Sequence, residues 1–167
     1  HPKSHPTYGS CFAELDSTRS LYSGGFDLFN ETWMYDWQAS AWTQADDLLQ
    51  GRQEHGCIAL EGQGVLVTGG LDEDYENVYT VELYDIIQNK WIPQADLPYD
   101  LLYTEDHILL NLNGAVIALF NRDDRVFRRG DDGAWSVMEG VRLPRPFSGY
   151  DFDRAVLVPD YFSLGCI

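Results

Sequence analysis

Basic residues are scarce in this chain of 167 residues: Lys and Arg number 11 against 27 Asp and Glu, a formal net charge of −16. Nucleic-acid binding needs clustered Lys and Arg to neutralise phosphates, so that class of partner is excluded, and docking on anionic membrane surfaces with it. No apolar run approaches the roughly 20 residues that a membrane-spanning helix requires. Nothing at the amino end reads as a signal peptide. Cysteine is almost missing, with Cys11, Cys57 and Cys166 alone, which rules out a small disulfide-stapled scaffold. One bridge with a free thiol, an intermolecular bridge and three reduced thiols all stay open. Catalytic spacings are absent too: there is no Cys-x-x-Cys pair for zinc, no Gly-x-Ser-x-Gly, no phosphate loop and no Ser/His/Asp arrangement. The chain is expected not to be an enzyme.

Apolar residues, by contrast, are plentiful. The sequence is 44% hydrophobic and 14% aromatic, enough to bury a core, so disorder is not expected despite the charge. A chain opening at His1-Pro2-Lys3 without Met reads as a processed product or an excised fragment. Together with a sequon at Asn30-Glu31-Thr32, this points to a secreted, glycosylated protein.

A repeat is visible along the chain. Leu21-Tyr22-Ser23-Gly24-Gly25 returns as Val65-Leu66-Val67-Thr68-Gly69-Gly70, with the first glycines 45 residues apart. Each double glycine is followed by Tyr-Asp, at Tyr35-Asp36 and Tyr84-Asp85, and six residues after each Asp stands a Trp, Trp42 and Trp91. A shared Gln-Ala-Asp frame leading to a leucine is then expected to fall in register, and Cys11 and Cys57 hold matching places 46 apart. A degraded third copy sets residues 115–120 where 65–70 stood, with Asn121-Arg122 near the glycine position and Trp135 lying 44 residues after Trp91. The units read as strands. Short β-branched and aromatic runs are punctuated by turns at residues 61–64, at Asn89-Lys90, and at the Asn113-Gly114 and Asp132-Gly133 pairs, both strong hairpin signals. Residues 31–49 are the best helical candidate, yet their Trp and β-branched spacing favours strands. Four strands in about 45 residues is the arithmetic of a propeller blade.

The double glycine after an apolar strand, the Tyr-Asp, the Trp at fixed offset and the Leu-Pro at Leu97-Pro98 and Leu143-Pro144 resemble the kelch repeat of β-propellers. The resemblance implies an all-β fold of four-stranded antiparallel blades, about 3 to 3.5 per chain. Its divisions are a flexible segment over residues 1–9, a first blade over 10–50, a second over 51–98, a degenerate third over 99–146 and a partial fourth over 147–167. Gly24, Gly25, Gly69 and Gly70 then allow close backbone approach, while Tyr35, Trp42, Tyr84, Trp91 and Trp135 fill the spaces between blades. His55 and His107 recur before the first strands, in a pattern Arg52-x-x-His55, and read as loop histidines bonded to backbone. His1 and His5 lie in the Pro-punctuated amino end.

Propellers normally close with four to eight blades, so about half a ring must be completed by other blades: a second copy, a complementary propeller chain, or the rest of a larger protein. A homodimer is the favoured expectation. No cofactor is expected: the acidic runs at residues 72–76, 123–124 and 131–132 lack the calcium-loop spacing and would hold calcium only weakly. What remains is a binding module. Its loop tips carry Phe26, Phe29, Asp72, Glu73, Asp74, Tyr75, Tyr99 and Tyr103, acidic and aromatic together, and suit a basic protein or peptide. A dimeric carrier with an apolar small molecule or pigment in an aromatic seam is the alternative.

Overall fold

The computed structural model describes residues 8–146. Twelve strands form three four-stranded sheets, and among the described residues there is no helix. The first sheet holds β1 (Cys11–Glu14), β2 (Arg19–Ser23), β3 (Thr32–Asp36) and β4 (Ala41–Gln44). The second holds β5 (Gly56–Leu60), β6 (Gly64–Thr68), β7 (Val81–Asp85) and β8 (Lys90–Pro93), and the third β9 (Ile108–Leu112), β10 (Ala115–Leu119), β11 (Arg125–Arg129) and β12 (Trp135–Arg142). Each sheet is an antiparallel meander in chain order, and the first strands β1, β5 and β9 adjoin one another on the inner side. The expected partial fourth blade at 147–167, with Cys166, and residues 1–7 lie outside the described residues.

Alternation along the middle strands explains the stacking. In β6, Val65 and Val67 turn toward the first sheet, where they meet Cys11, Ala13, Leu21 and Leu48. Leu66 between them turns the other way, toward Val116, Ala118, Phe120 and Phe127 of the third sheet. A strand buried on both faces reads as a continuous apolar run, and all five residues of β6 are buried. The far face of the third sheet gathers Leu110, Ile117, Leu119 and Val126 with Met138, Val141 and Leu143 around them.

The two best copies of the repeat differ in one respect with covalent consequences. Ser23 and Thr68 occupy the same place before the glycines, yet Ser23 pairs with Cys11 while Thr68 pairs with Gly56, one residue before Cys57. The offset of 46 between the cysteines, against 45 between the glycines, therefore shifts Cys57 by one position. A one-residue shift in a strand turns the side chain to the opposite face. Cys11 thus looks toward the second sheet and Cys57 toward the first, and they join as a disulfide across the seam, with Cα atoms 5.9 Å apart. Of the open alternatives for the cysteines, an intrachain bridge is the one formed.

Register corrects two further expectations. Ala45 and Gln94 donate to the carbonyls of Thr32 and Val81, and Leu48 and Leu97 to those of Asn30 and Tyr79. The leucines are therefore equivalent, and the Gln-Ala-Asp match lies one residue out of step. In the third sheet Leu119 pairs like Thr68, so Phe120 and Asn121 stand at the double-glycine place. Turn chemistry is as expected at Asn113-Gly114, where both residues have positive φ, 53° and 88°. At Asp132-Gly133 only the glycine does, at 86°, and the turn closes from Gly130 to Ala134.

Gly69 shows why glycine is required. Its φ is +62°, and an added Cβ would sit 2.6 Å from the Thr104 carbonyl and 3.0 Å from His107 Cε1. Gly69→Val should cost about 3 kcal/mol or more, from left-handed strain plus overlap with backbone that cannot yield. Urea denaturation of the variant, compared at unchanged m-value, measures this.

Candidate functional site: the loop face

In a meander, the connections between second and third strands emerge at the same end as the linkers between sheets. Hydrogen bonds tie these segments together here. Gly25 N–H donates to the Arg52 carbonyl, Phe26 N–H to that of Tyr8 and Gly70 N–H to that of Thr104. Leu71 bridges both Gln53 and Asn77, and Asn77 Nδ2 donates to the Leu102 carbonyl while Thr104 N–H donates to Asn77 Oδ1. One continuous surface results, and the segments that form it carry the loop-tip residues singled out from the sequence, whereas the acidic run at 131–132 lies in the β11–β12 turn.

The surface is anchored by a buried ion pair. Arg52 Nη2 lies 2.6 Å from Glu82 Oε1, with side chains 0% and 2% exposed. Arg52 also donates to the carbonyls of Gly69 and Thr80 and to Thr80 Oγ1. Glu82 in turn accepts the backbone N–H groups of Leu49 and Gln50. The linker between the first two sheets is thereby fastened to the strands of the second. Burial pulls the Arg52 pKa below its ordinary value, and the Glu82 charge beside it acts the other way. By register, Thr104 takes the place of Arg52 in the third repeat and Phe127 the place of Glu82. Where the cation is replaced, its anion is replaced as well. Glu82 carries no motif spacing, so the sequence did not single it out.

The histidines correct their expectation. His55 and His107 stand just before β5 and β9 as expected, but they are buried in the seams, His55 with no partner among the described residues on either ring nitrogen and His107 beside the backbone of Thr104. His55 packs its ring on Gly24 and its Cβ on Gly70, and His107 lies against Gly69 and Gly56. Each histidine thus seats on the first glycine of the preceding sheet's pair, where a Cβ would meet both a backbone carbonyl and the imidazole. His107 Nε2 shares a 2.5 Å hydrogen bond with Thr68 Oγ1 and its ring stacks on Phe120. Burial pushes both imidazoles down, His107 to about 4 and His55 well below its usual value.

One residue earlier, Gly9, Glu54 and Asp106 are equivalent, all left-handed, with φ of 70°, 54° and 48°. Glu54 N–H donates to the Gly9 carbonyl and Asp106 N–H to that of Glu54, stepping from blade to blade. Burial raises the pKa of Glu54, and Asp106 and Glu105 raise it further; burial likewise raises Asp106. These acids gather where the three blades converge. Their signal lies in the sequence, where each of the two acids directly precedes a recurring histidine.

Around them stand the anticipated residues. Phe26 and Tyr75 are exposed, Tyr75 in a left-handed conformation. Tyr99 is exposed, with its hydroxyl on Asp96 and its ring against Tyr79. Tyr103 lies under Arg122, 4.8 Å from its guanidinium carbon. Phe29 is half-buried over Gly51. Asp72 spends one carboxylate oxygen on the N–H groups of Asp74 and Glu76, holding its own loop, while Glu73 and Asp74 face solvent. Asp123 is engaged by Arg125, and Asp132 by Ala134 N–H. Asn30 of the sequon is exposed. No group of metal-ligating side chains forms among the described residues.

The seam aromatics fall into two sets. Tyr84 and Trp91 are 0% and 4% exposed against the first sheet, and Trp91 Nε1 donates across the seam to Thr32 Oγ1 and the Asp46 carbonyl. Trp135 packs into the next seam, where Val81 offers no hydroxyl in the place of Thr32, and its Nε1 has no partner. Tyr35 and Trp42 do not fill a space between described blades: they lie on the outward face of the first sheet, partly exposed.

No family model matches the chain. Kelch-like protein 35 of Mus musculus is 32% identical over 88 residues, covering 52% of this chain and 15% of that protein. A solved structure, described as "Structure of YjhT", superposes with a TM-score of 0.68 at 14% identity, over 84% of this chain and 53% of that one. The chain therefore spans about half of the solved chain and a small part of the mouse protein. The fold is a partial kelch-type propeller. Its blades are the three sheets.

Two measurements test this anchoring. Glu82→Ala strands a buried guanidinium and should cost about 3–5 kcal/mol in chemical denaturation. The pair Arg52→Thr with Glu82→Phe copies the third blade and should recover a large part of that loss. Stability should also fall on acidification. A histidine with a depressed folded pKa contributes stability above its unfolded value of 6.5, and that contribution is lost as pH falls through the folded value, here between about 6.5 and 4. His107 alone should account for about 3 kcal/mol. His107→Gln should flatten this segment of the stability profile.

Proposed function

We propose that this chain is a non-catalytic binding module that takes a basic peptide segment on its loop face. The observation that carries the reading is the convergence of Glu54, Glu105 and Asp106 where the blades meet, with Phe26, Tyr75 and Tyr99 exposed on the loops of the same face. Glu54, whose pKa is raised by burial and by the neighbouring Asp106 and Glu105, and Asp106, whose pKa is raised by burial, gain when a cation approaches. Exposed aromatic rings nearby offer flat surfaces to Lys or Arg stems and cation–π contact. The chain's net charge of −16 would speed the encounter. Kelch-like homology supports a protein-binding propeller. Arg122 and Arg125 are occupied by Tyr103, Asp100 and Asp123, so they do not cancel the central acids.

The same reading places the protein in an oxidising, secretory setting. The Cys11–Cys57 disulfide suits such a compartment, and Asn30 is exposed for a glycan.

A fluorescent peptide of alternating Lys and Tyr serves as the probe. Its affinity should fall at least tenfold between 50 and 500 mM salt, because exposed charge pairs are screened within about 10 Å. Reversing Asp72, Glu73 and Asp74 to Lys should chiefly slow association, whereas Glu54→Gln with Asp106→Asn should chiefly speed dissociation. Binding indifferent to salt, or to both sets of changes, overturns the proposal.

A further inference from the structure

In the first blade, Phe12, Tyr22 and Trp33 are cross-strand partners, as are Ser20, Tyr35 and Trp42, so all six project from the face turned away from the second blade. Trp37 joins them, its ring edge-on to Tyr35 and its Nε1 donating to Ser20 Oγ. Phe12 and Trp37 are each 52% exposed, and Trp33, Tyr35 and Trp42 are partly so. The corresponding face of the second blade, with Tyr84 and Trp91, is closed by its neighbour. The Trp91 Nε1 donor is satisfied across that seam. An interface of this kind is thus built twice in the molecule and left open once.

We infer that this aromatic face of the first blade docks on the same face of a second copy of the chain, about a two-fold axis. Three observations select that occupant. A closed ring made head to tail would need two open ends, but on the far face of the third blade Leu110, Ile117, Leu119 and Val126 are no more than 8% exposed and no large apolar side chain stands out as Phe12 and Trp37 do. Among the described blades the aromatic face is the one that presents large exposed rings, and a two-fold axis lets one patch serve as its own complement. The five partly exposed rings leave roughly 350 Å² of apolar surface, given about 200 Å² for a whole aromatic side chain. Two copies bury about 700 Å² through rings alone, near half of the ~1,600 Å² of a standard interface, and the flanking strands supply the rest. Finally, the patch carries charge only at its edge: Glu14 stands there, cross-strand from Ser20, and Glu31 already accepts from Trp33 Nε1. The net charge of each copy is therefore kept to the periphery, where salt screens it.

Light scattering of the full 167-residue chain at micromolar concentration should give about 38 kDa, twice the 19.0 kDa chain mass, at both 50 and 500 mM salt. Phe12→Lys with Trp37→Lys changes exposed residues only and should give 19 kDa with an unaltered β-sheet circular dichroism spectrum. A tagged copy of that variant should not retain untagged wild type on a column, because each face needs an intact face opposite it. Head-to-tail pairing would retain it. A wild-type monomer, a variant that stays dimeric with its fold intact, or retention of wild type by the variant overturns the inference.

Discussion

Burial on both faces is the constraint on which the rest of this structure depends. A sheet such as that of β5 to β8, with Val65, Val67, Tyr84 and Trp91 on one side and Leu66 and Val81 on the other, is stable only between two neighbours. The blades must therefore stack, and stacking around an axis crowds their inner ends. There the first strands adjoin, and the chain has no room for ordinary side chains. The double glycines answer that crowding, and the histidines of each following blade occupy the space the missing Cβ atoms leave.

Crowding at the axis also explains the chemistry of the loop face. Linkers and loops that converge there must satisfy their backbone groups without solvent. Arg52 and Glu82 do so between the first and second blades, Glu82 accepting from two backbone N–H groups and Arg52 donating to three carbonyls. In the third blade, Thr104 meets the same demand with a hydroxyl, donating to the Gly70 carbonyl. The two solutions are interchangeable in principle because each is internally neutral. A lone Arg or a lone Glu would not be, since an unpaired buried charge costs several kcal/mol. The left-handed residues just outside, Glu54 and Asp106, inherit a position where the backbone is fixed and the side chain partly shielded. Binding chemistry thus sits on a surface made rigid for structural reasons.

The open face of the first blade is the counterpart of the same constraint. What is core for Tyr84 and Trp91 becomes surface for Tyr35 and Trp42, although the residues and their spacing are the same.

The sequence by itself determined the all-β fold, the blade period, and which residues recur: Gly24 with Gly69, Tyr35 with Tyr84, Trp42 with Trp91, His55 with His107. These are local facts, because a repeat must present the same small and large side chains at the same strand positions to build the same seam. The loop-tip residues were legible for a similar reason, since turn composition marks where strands end. Which of two equivalent aromatics is buried was decided only in the tertiary structure, because burial belongs to the neighbour and not to the residue. The disulfide was also decided there. A shift of a single residue between Cys11 and Cys57 reverses the face on which a strand side chain lies, and that reversal has meaning only when two sheets stand opposite each other. Glu82 was likewise invisible along the chain: thirty residues separate it from Arg52, and only the folded seam brings the two charges to 2.6 Å.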